Sequence, residues 1–132
     1  MVAREFRLRS PIDFERARSQ GKSWASGLVV AVVMPNARES NRYGFAVGRR
    51  VGNAVARNRA KRLMRESVRN IHPKLRQGFD IVFIARNRVK PETTQREVDE
   101  AIESVLDRAG LVGDVPPLGT DPAGSGSFPD GR

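Results

Sequence analysis

The chain has 132 residues, no cysteine, and 24 Lys and Arg against 15 Asp and Glu, a formal net charge of +9. This length suits one domain with a modest hydrophobic core, and a chain without cysteine excludes disulfides, thiolate zinc sites and a cysteine nucleophile. The longest apolar run, residues 28–34, is too short to span a bilayer, and residues 1–11 lack the apolar segment of a signal peptide, so we expect a cytoplasmic protein without a membrane partner.

The first predicted elements are a short helix and a buried strand. Ser10 is a candidate N-cap and Pro11 suits the first helical position, so the helix begins there, and Gly21 ends it. Residues 28–34 are mostly β-branched, a composition typical of a buried strand. After a polar loop, residues 43–47 alternate in side-chain size and predict a second strand, antiparallel to the first.

A long basic helix follows a turn between Gly48 and Gly52. Asn53 is its candidate N-cap, and the helix ends at Pro73. Ten of the 24 bases and one of the 15 acids fall within residues 49–76, so the rest of the chain is neutral. An ordinary solvated helix face would interleave acids with bases. A stretch this basic repels itself unless a polyanion meets it, and it favours nucleic acid as the partner.

The basic helix has two faces when its residues are projected at about 100° each. One arc is apolar and should pack on the sheet; it contains Ala56, Ala60, Leu63, Met64, Ser67, Val68 and Ile71. The remaining surface carries Asn58, Arg62, Arg65 and Arg69 opposite this arc, with Lys61 and Arg59 on the flanks. Arg57 projects towards the edge of the apolar arc, so its guanidinium must reach along the helix or off its end. Arginine favours bidentate contacts with phosphate, but charge alone does not decide between DNA and RNA.

Residues 79–85 predict a third main strand, and a second amphipathic helix follows it. Thr94 and Glu97 form a capping box. Apolar side chains then recur at helical spacing as far as Gly110, with acidic side chains on the outer face. We read this acidic face as solvated rather than catalytic.

The composition changes after the second amphipathic helix. Residues 113–132 are rich in Gly, Pro, Ser and Asp, a composition that cannot bury enough apolar surface to fold. We therefore expect a folded domain over residues 1–112 and a disordered tail over residues 113–132. The predicted elements indicate an α+β fold with helices packed on a small mixed sheet.

The sequence carries no catalytic pattern of its own. His72 is the only histidine and precedes Pro73 at a helix end, so it lacks the companions of a zinc site or a general base. Phosphate-loop, dinucleotide and nucleophile-elbow motifs do not occur. We therefore predict that the polypeptide contains no hydrolase site.

Residues 51–66, VGNAVARNRAKRLMRE, resemble the signature segment of the bacterial ribonuclease P protein subunit. The triplet Arg57-Asn58-Arg59, followed by Lys61-Arg62-Leu63 and Arg65, is similar to the RNR motif of that family. Supporting matches occur in the same order over about residues 4–111, at Asp13, Phe14, Gly21, Gly44, Val47, Asp80 and residues 84–86. The length and collinear order of these matches make the resemblance specific.

The resemblance implies a two-layer α-β-β-β-α-β-α sandwich with a small mixed sheet. The basic helix would be a βαβ crossover of left hand, against the usual right-handed rule. The resemblance also implies that the protein binds the catalytic RNA of ribonuclease P and helps this RNA to remove the 5′ leader from precursor tRNA. The hydrolysis belongs to that RNA and uses Mg²⁺ bound mainly by the RNA; metal ligands on the protein are unknown. The implied partners are ribonuclease P RNA, one protein per RNA, and precursor tRNA.

The resemblance also assigns residues to two RNA contacts. The residues implied to contact the RNA subunit are Arg49, Arg50, Asn53, Arg57, Asn58, Arg59, Lys61, Arg62, Arg65 and Arg69. The leader would lie in a cleft between the first helix and the sheet, with Phe14, Arg18 and Phe45 as its contacts. Arg18 and Val32 stand where the family often has aromatic residues, so leader contact should depend less on stacking and more on charge. Trp24 is either a substitute aromatic or ordinary packing.

A structural RNA-binding protein, such as a ribosomal component, is the alternative interpretation. The basic helix alone would serve that role equally well. The ordered signature, with Phe14 placed where a leader cleft needs it, favours the ribonuclease P subunit.

Overall fold

The elements follow one another in the order α-β-β-β-α-β-α, as the resemblance implies. The structure is a computed structural model that describes Leu8 and residues 11–112. Its helices and strands are α1 Pro11–Gln20, β1 Lys22–Ala25, β2 Val29–Pro35, β3 Arg42–Val47, α2 Ala54–Ile71, β4 Phe79–Ala85 and α3 Gln95–Arg108. Single 3₁₀ turns follow β3 and α2. None of the helices in this part of the chain is long and apolar enough to cross a membrane.

Two of the predictions fall outside the described residues. The candidate cap Ser10 is one of them, and the tail over residues 113–132 is the other. The limits of the domain therefore stay a prediction.

The four strands form one mixed sheet in the order β1-β2-β4-β3. β2 pairs antiparallel with both β1 and β4, whereas β3 pairs parallel with β4. α2 connects the parallel pair β3 and β4 as a crossover. The α+β fold with a small mixed sheet is thereby confirmed, and the hand of the crossover stays a prediction.

The sheet differs from the strand pattern predicted from the residues in two ways. β3 runs opposite to β2 in direction, but β4 lies between them, so these two strands are not neighbours. β1 has no counterpart among the strands predicted from the residue pattern, since its sequence KSWA is short and lacks a clear alternation. Both differences concern long-range pairing, which depends on context more than on local propensity.

The helix starts agree with the capping residues predicted from the sequence. The Asn53 side chain accepts a hydrogen bond from the backbone N–H of Ala56 at 3.0 Å. At the start of α3, the Thr94 backbone N–H donates to Glu97 Oε1 at 2.7 Å, and the Glu97 N–H donates to Thr94 Oγ1 at 3.2 Å. These bonds satisfy backbone donors that a helix leaves without internal partners.

α2 and α3 cover one face of the sheet, and α1 covers part of the other. The larger core lies under α2 and α3, and its bulky members include Trp24, Tyr43, Met64, Phe83 and Leu106. The smaller core lies under α1 and consists of Leu8, Ala17, Val32 and Val82. Because strand side chains alternate between faces, the sheet separates the two cores. Trp24 is 2% exposed, so its role is packing.

Candidate nucleic-acid interface

α2 buries the apolar arc that the sequence predicts. The buried members are Ala60, Met64, Ser67, Val68 and Ile71, and the partly buried ones are Ala56 and Leu63. This arc packs against β3, β4 and α3. The cationic positions outside the arc are therefore turned away from the core.

The outer side of α2 presents exposed polar side chains. Arg62 and Asn58 are exposed, and Lys61 beside them is half-buried. Arg69 is exposed and pairs with Glu66, with Nη2 2.9 Å from Oε2 and Nε 3.2 Å from Oε1. The hydrogen bonds of this pair raise the pKa of Arg69 and lower the pKa of Glu66. A phosphate at Arg69 would compete with that carboxylate.

Arg57 and Arg59 both donate hydrogen bonds to backbone outside α2. Arg57 Nη1 donates to the Gly52 carbonyl at 2.8 Å, so its guanidinium reaches off the helix end, as the projection predicts. Arg59 Nη2 donates to the Thr93 carbonyl at 2.7 Å, and its Nη1 donates to the Lys90 carbonyl at 3.4 Å. These bonds hold the preceding turn and the β4–α3 loop against α2. A guanidinium has further N–H donors, so the same side chains are compatible with RNA contact.

Arg65 reaches back to the sheet instead of extending away from the helix. Its guanidinium carbon lies 5.7 Å from the centroid of the Phe45 ring. Phe45 in turn stacks on Phe83, with 5.7 Å between ring centroids. The projection places Arg65 opposite the buried arc, but the long side chain allows this cation–π contact, which typically contributes about 0.5–1 kcal/mol at exposed sites.

Arg49 and Arg50 lie in the exposed 3₁₀ turn between β3 and α2. Gly52 ends this turn with a φ of 147°, in the region that favours glycine. Across a pocket of about 380 Å³, the turn faces residues 84–87 at the end of β4. The two arginines therefore adjoin Arg86, a cation that the sequence analysis assigns to no site.

The candidate leader cleft lies on the other face of the sheet, beside α1. Phe14 is half-buried, and its ring lies so close to Gly44 that a Cβ on Gly44 would be 2.6 Å from Cε2. Arg18, one turn further along α1, is exposed. Two residues further along the strands, three side chains lie in register on this same face. They are Val30, Ile84 and Ala46, and all three are half-buried. α1 thus leaves part of this sheet face accessible next to Phe14.

Phe45 does not lie in this cleft, contrary to its assignment with Phe14 and Arg18. It follows Gly44 in β3, so its side chain projects from the opposite face of the sheet. There it packs against the larger core and Arg65. Val32 does lie on the α1 face, but it is buried in the smaller core.

An ion network that the sequence analysis missed ties α1 to the sheet. Arg42 donates to Asp80 through Nε at 2.9 Å and Nη2 at 2.8 Å, and to Asp13 Oδ2 through Nη1 at 3.2 Å. Asp80 is 1% exposed and also accepts from Asn36 Nδ2 at 2.9 Å. The hydrogen bonds to Asp80 raise the pKa of Arg42. Asp13 precedes Phe14, so this network orients the helix that carries the cleft aromatic.

His72 belongs to a packed polar cluster at the end of α2. Its Nδ1 lies 2.6 Å from the Tyr43 hydroxyl, which also accepts from Asn41 Nδ2 at 3.1 Å. Burial lowers the pKa of His72 and raises the pKa of Tyr43 to about 12. Within residues 11–112, no three or more His, Asp or Glu side chains form a group that could hold a metal ion. The geometry of His72 suits packing rather than catalysis.

Comparison with known proteins relates most of the chain to a known family. A family model described as ribonuclease P matches residues 2–110. The ribonuclease P protein component of Roseiflexus castenholzii is 39% identical over 111 residues, which cover 84% of this chain and 91% of the relative. That of Symbiobacterium thermophilum is 42% identical over 112 residues, covering 84% of this chain and 96% of the relative.

Solved structures show the same likeness in three dimensions. The ribonuclease P protein of Staphylococcus aureus superposes with a TM-score of 0.74 at 30% identity, covering 82% of this chain and 98% of that chain. The protein from Thermotoga maritima superposes with a TM-score of 0.71 at 32% identity, covering 77% and 96%. The likeness therefore extends well beyond the basic helix.

Proposed function

The chain belongs to the ribonuclease P protein family, and we propose from this premise that it meets two RNAs on opposite faces of its sheet. It is the protein subunit of ribonuclease P and takes part in the 5′ maturation of tRNA. In this proposal the α2 side contacts ribonuclease P RNA, and the cleft beside α1 contacts the leader of precursor tRNA. The observation that carries the proposal is that the sheet separates the basic helix from Phe14.

The surface for the RNA subunit consists of the outer side of α2 and the turn before it. Arg49, Arg50 and Arg62 are exposed and offer planar guanidinium groups that match phosphate geometry. The other proposed contacts are Asn58, Arg57, Arg59, Lys61, Arg65 and Arg69, with Asn53 as the cap that fixes the helix start. If roughly six phosphates are neutralised, log K should fall against log salt with a slope of about −4 to −5.

The leader site combines one aromatic face with charge. An unpaired base that stacks on the Phe14 ring would gain about 1–3 kcal/mol. Arg18 is exposed on the same helix, where it can hold a phosphate or lie over a base. Because Val32 is buried in the smaller core, stacking falls to Phe14, and Arg18 supplies the remainder of the contact.

The cleavage chemistry is assigned to the RNA. Mg²⁺ prefers oxygen ligands in octahedral geometry, and the described residues form no acidic cluster that fits such an ion. As the family resemblance implies, the proposal assigns Mg²⁺ mainly to the RNA and assigns the cleavage step to no residue among 11–112. The proposal further includes one protein per ribonuclease P RNA and action in the cytoplasm.

The basic helix alone leaves open a structural RNA-binding role, such as that of a ribosomal component. Family membership favours the ribonuclease P subunit over that alternative. The accessible sheet face beside Phe14 also favours it, since a purely structural protein needs no second, single-strand site.

Reconstitution tests the proposed function. The full chain is added to a bacterial ribonuclease P RNA, and cleavage of precursor tRNA is measured at low Mg²⁺. We expect faster cleavage than with RNA alone, because the α2 cations hold the protein on the RNA and the leader cleft takes over part of the substrate binding that Mg²⁺ would otherwise support. A matched variant in which alanine replaces Arg49, Arg50 and Arg62 should need more protein for the same rate. A rate equal to that of RNA alone contradicts the proposal.

A further inference from the structure

A pocket of about 370 Å³ lies where the first turn of α2 faces the loop between β4 and α3. Val51, Val55 and Ala56 line it on the helix side, and Val89 and Pro91 line it on the loop side. Val55 is 76% exposed, although it is a large apolar residue within the most basic segment of the chain. The pocket's volume is at the low end of the range for small-molecule pockets, about 300–1,000 Å³. A pocket of this size can hold one flat group, but it is too small for a helix or a duplex.

The rim of this pocket is polar and cationic. Arg59, Lys90 and Asn53 contribute to the lining, and the lining residues include no acid. Arg59 also donates to the carbonyls of Thr93 and Lys90, at 2.7 and 3.4 Å. These bonds join α2 to the opposite wall, so the pocket keeps its width before a ligand arrives.

We propose that this pocket binds one unpaired nucleobase of ribonuclease P RNA, with an adjoining phosphate on Arg59 and Lys90. This inference rests on the proposed function, since it places a base contact on the side of the sheet that faces the RNA subunit. A phosphate alone would use the rim and leave Val55 exposed. An apolar protein side chain would cover Val55 and leave the cations without an anion. A nucleotide has both a flat apolar face and a negative charge, so it matches walls and rim together.

The position on α2 supports the same occupant. The pocket lies at the N-terminal end of an 18-residue helix, where the helix dipole favours an anion. The exposed Asn58 and Arg62 continue along the same helix. RNA bound along these residues brings its bases close to Val55 without any change in the helix.

Replacement of Val55 separates a base contact from a phosphate contact. Val55→Ala removes two methyl groups from an exposed site and raises helix propensity, so the fold is kept. Affinity for ribonuclease P RNA should fall about five- to tenfold, while the slope of log K against log salt stays unchanged because no phosphate contact is lost. Arg62→Ala, in contrast, should make this slope shallower by about one. Ile12 is 77% exposed on α1, so Ile12→Ala is the matched control and should leave this affinity unchanged.

Two outcomes of this experiment overturn the nucleobase site. One is an unchanged RNA affinity in Val55→Ala, and the other is a loss that comes with a smaller salt slope. If the affinity is unchanged and analytical ultracentrifugation shows that Val55→Ala has lost self-association, the pocket is assigned to a second copy of the chain instead. If the wild-type chain itself shows no salt-dependent affinity for the RNA, the proposed function fails instead, so the two failures are distinguishable.

Methyl NMR of the assembled complex gives an independent readout. A base stacked in the pocket should shift the methyl resonances of Val55 and Val89 upfield through its ring current, whereas Val105, buried in the larger core, should change little. Shifts at Val55 and Val89 no larger than the shift at Val105 contradict the inference.

Discussion

The close contact between Gly44 and Phe14 allows a sharp test of how α1 is seated. A Cβ on Gly44 would lie 2.6, 3.2 and 3.3 Å from three atoms of the Phe14 ring. The φ of Gly44 is not among the positive values of the chain's glycines, so the backbone itself tolerates alanine. The closest obstacle in Gly44→Ala is therefore the ring, which can escape only if it rotates or if α1 shifts.

The effect of Gly44→Ala on the free energy of unfolding should change sign with the residue at position 14. In the wild-type background the overpacking should cost about 1–3 kcal/mol of unfolding free energy. In the Phe14→Ala background the ring is gone, and Gly44→Ala should stabilise by about 0.4–1 kcal/mol because the unfolded chain loses conformational freedom. The coupling between the two positions is the difference between these effects, about 1.4–4 kcal/mol, which reaches or exceeds the upper part of the range typical of residues in contact, about 0.5–3 kcal/mol.

Urea unfolding followed by far-UV circular dichroism measures all four proteins of this cycle. Gly48→Ala is the matched control, since a Cβ there meets nothing within 4 Å and its φ of −76° suits alanine; it should stabilise by about 0.4–1 kcal/mol in both backgrounds. Equal effects of Gly44→Ala in the two backgrounds would refute the reasoning, because the cost would then not come from the Phe14 ring.

Three further predictions concern the ion network, the histidine and the RNA surface. Asp80→Asn should lower the free energy of unfolding in urea by about 1.5–3 kcal/mol, since it weakens the charge-assisted hydrogen bonds of Arg42, which keeps Asp13 as its remaining carboxylate partner; a loss below about 1 kcal/mol would argue against this ion pair. Because burial lowers the pKa of His72, the unfolded chain takes up this proton first, so the unfolding free energy should fall as pH drops below about 6.5. His72→Gln should flatten that dependence, and an unchanged pH profile would contradict it. Arg62→Ala should make the slope of log K against log salt shallower by about one. Arg69→Ala should make it shallower by less, since Glu66 already pairs with Arg69, and equal changes in the two variants would contradict this ranking.

Local signals predict the elements of this fold well. The strand predicted over residues 79–85 has those bounds in the structure, and the caps at Asn53 and Thr94 are confirmed. These features depend on short-range hydrogen bonds and on side-chain shape, which a few neighbouring residues determine.

Features that depend on distant partners are not visible in the residue pattern. The placement of β4 between β2 and β3 is one example, because strand order is decided by packing of the whole sheet. The position of Phe45 is another, since its face follows from the register of β3. The Arg42–Asp80 pair joins residues 38 positions apart, and only the folded chain brings them together.

Two RNA surfaces separated by the sheet are the central claim, and tRNA affinity of the reconstituted enzyme tests it most directly. Dissociation constants are measured for precursor and mature tRNA with the wild type, with Phe14→Leu, which keeps apolar packing but lacks the aromatic face, and with Arg62→Ala. We expect Phe14→Leu to weaken precursor binding by about five- to 150-fold and to leave mature tRNA unchanged. Arg62→Ala should weaken assembly with the RNA and preserve the ratio of the two affinities. Equal losses for precursor and mature tRNA with Phe14→Leu would contradict the claim.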